Sequence, residues 1–363
     1  MNTKPLDNFG WMATWKITDR CNLRCTYCDP SIMKRANAPE KVDRFTVLEK
    51  IRSFNPRILN ISGGEPTLVR ELPDLLRIAK ETWDPFIRVV HNGTGIMKLR
   101  ETFPYLDRVV ISIDGPGEIN RSTRGLSGDT VLERIKEVLP FVENGPELII
   151  NTVVTEKNIG SLPRFASQIS TVSPKVVLAL LPVTPPDSEL SLLSSPGGYE
   201  RFLKVYYKML SFHPLVIHNF DCMTRQKNFR IIQCYNQYFA LRFSPQGELF
   251  TCGMDLGAQL RSTRKPIHKL FKKGGFSKAL TLVSRQLKKS RGKVDFTCRN
   301  ICNCDSWLDM LFLGKDTGYA PFALRGFKGR LSDEDYRSLD SFVSRHINSD
   351  FDVNQFRKRV EET

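Results

Sequence analysis

The chain has 363 residues, of which 40% are hydrophobic and 26% charged, with nine cysteines and a net charge of +15. This is ordinary globular usage, long enough for one large domain and a smaller one. No run approaches the ~18 apolar residues of a membrane span, and residues 1–10 lack the apolar core of a signal peptide. A cytoplasmic protein is therefore expected, whose clustered cysteines bind metal instead of forming disulfides.

In chain order, residues 14–18 read as a strand that delivers a cysteine-rich loop. Residues 45–54 read as a helix, with Val47, Leu48, Ile51 and Phe54 at helical spacing. Strands are predicted over 57–61, 87–91, 108–113, 148–154 and 176–181, and helices over 72–82, 129–142 and 159–169. Ser127 or Asp129 suits the N-cap of the 129–142 helix. This alternation predicts βαβ units in a parallel α/β sheet, about six of them between residues 12 and 182. Ligands of such sheets sit at the carboxyl ends of the strands. The cysteine loop, Gly63-Gly64-Glu65, Asn92, Asp114 and Asn151 all fall there, which predicts one site. Residues 182–198 read as a Pro/Ser/Gly linker and 199–212 as a helix. Beyond Phe220 the pattern is irregular and holds six of the nine cysteines. The tail over 331–363 is charged, with helical character and no readable motif.

Cys21, Cys25 and Cys28 stand as C-x3-C-x2-C. Three thiolates this close suit three corners of a [4Fe–4S] cluster, leaving one iron open for chemistry. A structural zinc site is the competing reading, but zinc knuckles pair cysteines as C-x2-C with a distant second pair. With Tyr27 before the last cysteine, the triplet resembles the signature of the radical S-adenosylmethionine (radical SAM) enzymes. That resemblance implies a partial (β/α)6 barrel in which AdoMet chelates the open iron and is reductively cleaved to a 5′-deoxyadenosyl radical. The segment from Ser62 to Thr67 resembles the family's GGEP motif, which holds the methionine end of AdoMet. Asn92-Gly93 resembles the Asn-Gly after the third strand. Ser112 to Asp114 resembles the element facing ribose and methionine, and the segment from Asn151 resembles that near adenine. By this resemblance Tyr27, Gly63, Gly64, Glu65, Asn92, Ser112, Asp114 and Asn151 are the candidate cofactor-binding residues. Arg121 and Arg124 are candidates for pairing with the AdoMet carboxylate. Gly64→Val is expected to weaken AdoMet binding while leaving the iron content near wild type.

Cys234, Gly247 and Cys252 match C-x9–15-G-x4-C, which resembles the opening of the SPASM and twitch extensions of the family. Residues 243–249 read as a hairpin that brings the two cysteines together. Cys298, Cys302 and Cys304 follow after a gap. A full SPASM ending carries more cysteines, so one auxiliary [4Fe–4S] cluster is expected, completed by two of these three. Cys222 reads as a buried thiol. The expected division is a partial barrel over 1–215, an auxiliary iron–sulfur domain over 216–320 and a helical tail over 321–363.

The resemblance implies hydrogen abstraction from a small-molecule or peptide substrate, for oxidation, cross-linking or epimerisation in maturation or biosynthesis. A low-potential donor such as flavodoxin or ferredoxin would supply the electron. So few residues precede the first strand that a leader-binding domain is not expected, which weighs against ribosomal peptides. The alternative is a non-enzymatic iron–sulfur or zinc protein that binds nucleic acid through the basic run between residues 261 and 293. No nucleic-acid motif accompanies that run, and it reads as the solvated side of a helix.

Overall fold

The computed structural model describes residues 12–28, 40–56, 58–142, 145–183, 189–218 and 240–250. Nine strands form one sheet: β1 (Met12–Lys16), β2 (Ile58–Ser62), β3 (Phe86–His91), β4 (Arg108–Ser112), β5 (Glu147–Val154), β6 (Val177–Pro182), β7 (Val216–His218), β8 (Ala240–Phe243) and β9 (Leu249–Phe250). Their order is β7-β6-β5-β4-β3-β2-β1-β8-β9. The first eight are mutually parallel, and β9 returns antiparallel on β8. Among the described residues the sheet does not close, and β7 and β9 lie at its two ends. The parallel α/β sheet is what the alternating pattern predicts, and its open form is consistent with the partial barrel that the resemblance implies.

Six α-helices connect or follow the strands: α1 (Arg44–Arg52), α2 (Leu72–Trp83), α3 (Gly117–Arg124), α4 (Gly128–Val142), α5 (Leu162–Val172) and α6 (Gly198–Leu210). The Asp43 carboxylate caps α1 by accepting from the Phe45 and Thr46 amides. The helices bury one face of the sheet. Val47, Leu48, Leu75, Val131, Phe165 and Phe202 share a core with alternate strand residues such as Trp15, Leu59, Ile87, Val109 and Ile150. The intervening strand residues point to the other, inner face. Met12, Ile58, Phe86, Val110 and Ile149 are buried there, outside the helix-side core.

Two features depart from the sequence reading. The β3–β4 connection is a 3-10 helix over Ile96–Tyr105, carrying Pro104 inside it, and α3 is only eight residues long. Short, glycine- and proline-flanked segments leave too few turns for periodicity to show. The 243–249 hairpin forms, with Gly247 at φ +77°. Its first strand, β8, does not open a separate unit but pairs with β1 in the main sheet. The sheet therefore runs past residue 215. Cys234 and Cys252, which the hairpin was expected to join, lie outside the described residues, as do residues 251–363.

Phe243 is 1% exposed, meets Phe54 edge-on at 5.9 Å, and Lys50 of α1 donates to the Gly247 carbonyl at 2.6 Å. Phe243→Ala is therefore expected to cost about 3–5 kcal/mol and to lower one cooperative unfolding transition, followed by urea titration. A loss below about 1 kcal/mol, or a second transition, would show that β8 is detachable.

Candidate functional site

The cysteine loop leaves the carboxyl end of β1 and is held at three neighbouring strand ends. The Gly64 and Glu65 amides donate to the carbonyls of Thr18 and Arg20, both at 2.7 Å. The Asn92 amide nitrogen donates to Asn22 Oδ1 at 2.8 Å, and Asn22 donates to Thr94 Oγ1 at 2.9 Å. The Thr26 amide donates to the Thr123 carbonyl in the last turn of α3 at 2.9 Å. The β2, β3 and β4 connections thus all grip one loop. Cys21, Cys25 and Cys28 are half-buried thiols on it.

Asp114 is the hub of the β4 end and is fully buried. Its Oδ1 accepts from Arg124 at 2.9 Å and from the Val153 amide at 3.0 Å. Its Oδ2 accepts from the Tyr27 hydroxyl at 2.5 Å. Arg124 also lies over the Tyr27 ring, 5.4 Å from its centroid, and reaches Cys25 Sγ at 3.9 Å. Burial opposes charge on Arg124, yet Asp114, Tyr27 and Cys25 together offset it and raise the guanidinium pKa. Burial pushes the Tyr27 phenol well above its ordinary value, so it is a donor to Asp114 and not a base. Burial likewise pushes the Cys25 thiol up to about 11, with Arg124 opposing and the neighbouring cysteines adding to the rise.

Glu65 is fully buried, and both its oxygens are engaged within the chain. Oε1 accepts from the Thr67 amide and hydroxyl at 2.9 and 2.6 Å, and Oε2 accepts from the Asn92 amide at 2.7 Å. It orders the β2 and β3 ends. Asn92 is spent in the same way, on Asn22 and, through Oδ1, on Thr94 at 2.9 and 2.7 Å. Ser112 and Asn151 differ. They are register partners at the ends of β4 and β5, half-exposed, with no side-chain hydrogen bond among the described residues. They are the polar side chains left over for a ligand.

The glycines behave differently from the sequence expectation. Gly63 sits at φ +151°. A Cβ on Gly64 would stand 2.1 Å from the Arg20 carbonyl oxygen and 2.7 Å from that of Asp19. The close approach that Gly64 serves is to the backbone just before Cys21. Its substitution must therefore move the cysteine loop. Arg124, a candidate for a ligand carboxylate, is committed to Asp114, and Arg121 pairs on the surface with Glu118 at 2.8 Å.

Sequence reasoning did not single out two buried asparagines. Asn120 Oδ1 accepts from the Asp114 amide at 2.7 Å, and its Nδ2 donates to the Leu126 carbonyl at 2.7 Å. Asn158 Nδ2 donates to the carbonyls of Asp114 and Val153 at 2.8 and 2.7 Å. The available signal was weak: Asn120 is a poor helix former that nonetheless sits inside α3.

The donor set fits an iron–sulfur cubane better than a single ion. Among the described residues no three His, Cys, Asp or Glu side chains converge on one metal position. Three ligands of a cubane bind three different irons and need not converge. The proximity of the three sulfurs is registered in the Cys25 thiol, which feels both Cys21 and Cys28.

Residues 15–156 match the family model described as the Radical SAM superfamily. The AdoMet-dependent heme synthase of Methanosarcina barkeri is 29% identical over 216 residues, covering 56% of this chain and 60% of the relative. Pre-heme d1 synthase of Dinoroseobacter shibae is 31% identical over 165 residues, covering 42% and 39%. The chain thus spans less than two thirds of the curated relatives it matches. In fold it resembles Streptococcus suis SuiB bound to S-adenosylmethionine, with TM-score 0.55 and 16% identity, over 72% of this chain and 64% of that one. It also resembles anSMEcpe with bound AdoMet and a peptide, with TM-score 0.54 and 15% identity, over 97% and 99%. The family implies a [4Fe–4S] cluster and AdoMet. Cys21, Cys25 and Cys28 are the residues that would hold the cluster.

Gly64→Val is expected to lower iron loading to less than roughly half of wild type, because the branched side chain displaces the loop before Cys21; anaerobic iron and sulfide analysis checks it. Near-normal iron would mean that the loop tolerates the shift. Asp114→Ala strands the Arg124 guanidinium, 7% exposed, and is expected to cost about 3–5 kcal/mol. Adding Arg124→Met should restore part of that loss in an anaerobic denaturation cycle. Equal or greater destabilisation of the double variant would remove the pair from its central role.

Proposed function

We propose that the chain is a radical SAM enzyme that cleaves AdoMet and abstracts hydrogen from a small-molecule or peptide substrate, in peptide maturation or natural-product or cofactor biosynthesis. The observation that carries this reading is the cysteine loop, locked by three strand ends beside two uncommitted polar side chains, Ser112 and Asn151. The cluster and AdoMet supply an electron and a 5′-deoxyadenosyl radical when bound. The chain's own residues hold and orient. Thr18, Arg20, Asn22 and Thr26 fix the loop through backbone and side-chain hydrogen bonds. Arg124 sets a positive charge beside Cys25, which favours thiolate there. Ser112 and Asn151 offer hydrogen bonds to the nucleoside part of AdoMet.

The relatives named above make heme or pre-heme d1, and the SuiB and anSMEcpe structures include peptide complexes. Both substrate classes stay within the proposal, which extends to oxidation, cross-linking or epimerisation as the net reaction. Cys234, Cys252 and two of Cys298, Cys302 and Cys304 are proposed to hold an auxiliary [4Fe–4S] cluster, with flavodoxin or ferredoxin as electron donor.

Anaerobically reconstituted protein is expected to hold about eight irons, from two four-iron clusters, and to release 5′-deoxyadenosine and methionine from AdoMet with dithionite. The triple change Cys21→Ala, Cys25→Ala, Cys28→Ala should abolish cleavage while leaving about four irons. Cleavage that survives in the triple variant would sink the assignment. About four irons in the wild type would remove the auxiliary cluster.

A further inference from the structure

Across the inner face of the sheet, one register row is polar from end to end. Arg242 of β8 aligns with Thr14 of β1, Thr14 with Asn60, Asn60 with Arg88, Arg88 with Arg108, and Arg108 with Glu147. Three guanidinium groups share this row with a single carboxylate. Arg108 takes that carboxylate, donating to Glu147 Oε2 through Nε at 2.9 Å and Nη2 at 2.5 Å. It also lies 5.1 Å from the centroid of the Phe86 ring.

Arg88 takes nothing. It is 8% exposed, and it has no hydrogen-bond or ion-pair partner among the described residues; its Nε is buried and unpaired. Its neighbours Ile87 and Val89 lie in the helix-side core, so Arg88 points to the inner face. Asn60 beside it, 1% exposed, also leaves its Oδ1 unpaired. The row is not the bottom of the sheet. Met12, Ile58 and Phe86 form the register row beneath it, and all three are buried. Above it, toward the carboxyl ends, Lys16, Val110 and Ile149 are buried, whereas Ser62 and Val90, and further on Ser112 and Asn151, are half-exposed. At Asn60 and Arg88 the row therefore opens toward the cysteine loop, and apolar side chains seal it on the other side.

Leaving the Nε of a guanidinium buried and unpaired next to another cation is costly. A floor built only for stability would carry an acid at this position or an apolar residue. We propose that Arg88 is an anion subsite that receives a carboxylate or phosphate group of the substrate. That the anion belongs to a substrate rests on the proposed function; that the row binds an anion does not. Ser112 is four residues beyond Arg108 on β4, about 13 Å along the strand at ~3.3 Å per residue. A single small molecule can thus rest its anionic end on Arg88 and present a carbon at the level of Ser112 and Asn151.

The test uses full-length, cluster-loaded protein under anaerobic conditions. Its melting temperature is measured with inorganic phosphate, with succinate, and with sodium chloride at matched ionic strength. Phosphate or succinate tenfold above its Kd should raise the wild-type melting temperature by about 3 °C over chloride. Whichever of the two acts identifies the anion as phosphate or carboxylate. Arg88→Met should abolish the rise and melt higher than wild type in anion-free buffer, since it removes the unpaired charge. Arg88→Gln, which keeps polarity without charge, should also lose the rise. The proposal is overturned if neither anion acts on the wild type, if the rise survives in both variants, or if both variants fail to fold, which would make Arg88 structural. AdoMet cleavage is measured on the same wild-type sample. No cleavage with a normal anion response removes the proposed function alone, and normal cleavage with no anion response removes the subsite alone.

Discussion

The ion pair between Asp114 and Arg124 is the constraint on which the site depends. Both partners are withdrawn from water, and neither is left with a free charge. One carboxylate ties three parts of the chain together: the cysteine loop through Tyr27, α3 through Arg124, and β5 through the Val153 amide. Buried charges of this kind are costly unless every lone pair finds a donor. Here the donors to the carboxylate are Arg124, the Tyr27 hydroxyl and the Val153 amide, while Asn120 and Asn158 satisfy the backbone amide and carbonyl of Asp114.

A division of labour among polar groups follows. Glu65, Asn92, Asp114 and Arg124 look like ligand contacts in a bare sequence, yet each is consumed inside the protein. They hold the loop and the strand ends in register. The groups left for a ligand are less conspicuous: Ser112, Asn151 and the backbone at the β2 end. Preorganisation accounts for the pattern, since a side chain that must position a metal-binding loop cannot also swing to meet a substrate.

Much of the fold is legible in the sequence because its signals are local. The apolar runs of the parallel strands, the helix at 129–142 and the cysteine spacing are each contained in short windows. The pairing of β8 with β1 is not, because nothing near Ala240 specifies a partner at Met12. The polar row is hidden for another reason. In Phe86–His91, Arg88 is one charge in an otherwise apolar strand, and only the register of four neighbouring strands reveals that Arg108 and Asn60 stand beside it. At Gly64 the sequence marks a close approach without saying what approaches, and the carbonyls of Asp19 and Arg20 stand there.

The position of β1 has a consequence for how the protein is made. This strand is the first of the described chain, yet it lies between β2 and β8, hydrogen-bonded on both sides. During synthesis one of its edges stays unpaired until Ala240–Phe243 have left the ribosome. The loop that carries Cys21, Cys25 and Cys28 follows directly from it. Assembly of a cluster on that loop and completion of the sheet are then linked in time, and the nascent chain carries an open parallel edge next to three free thiols for most of its elongation.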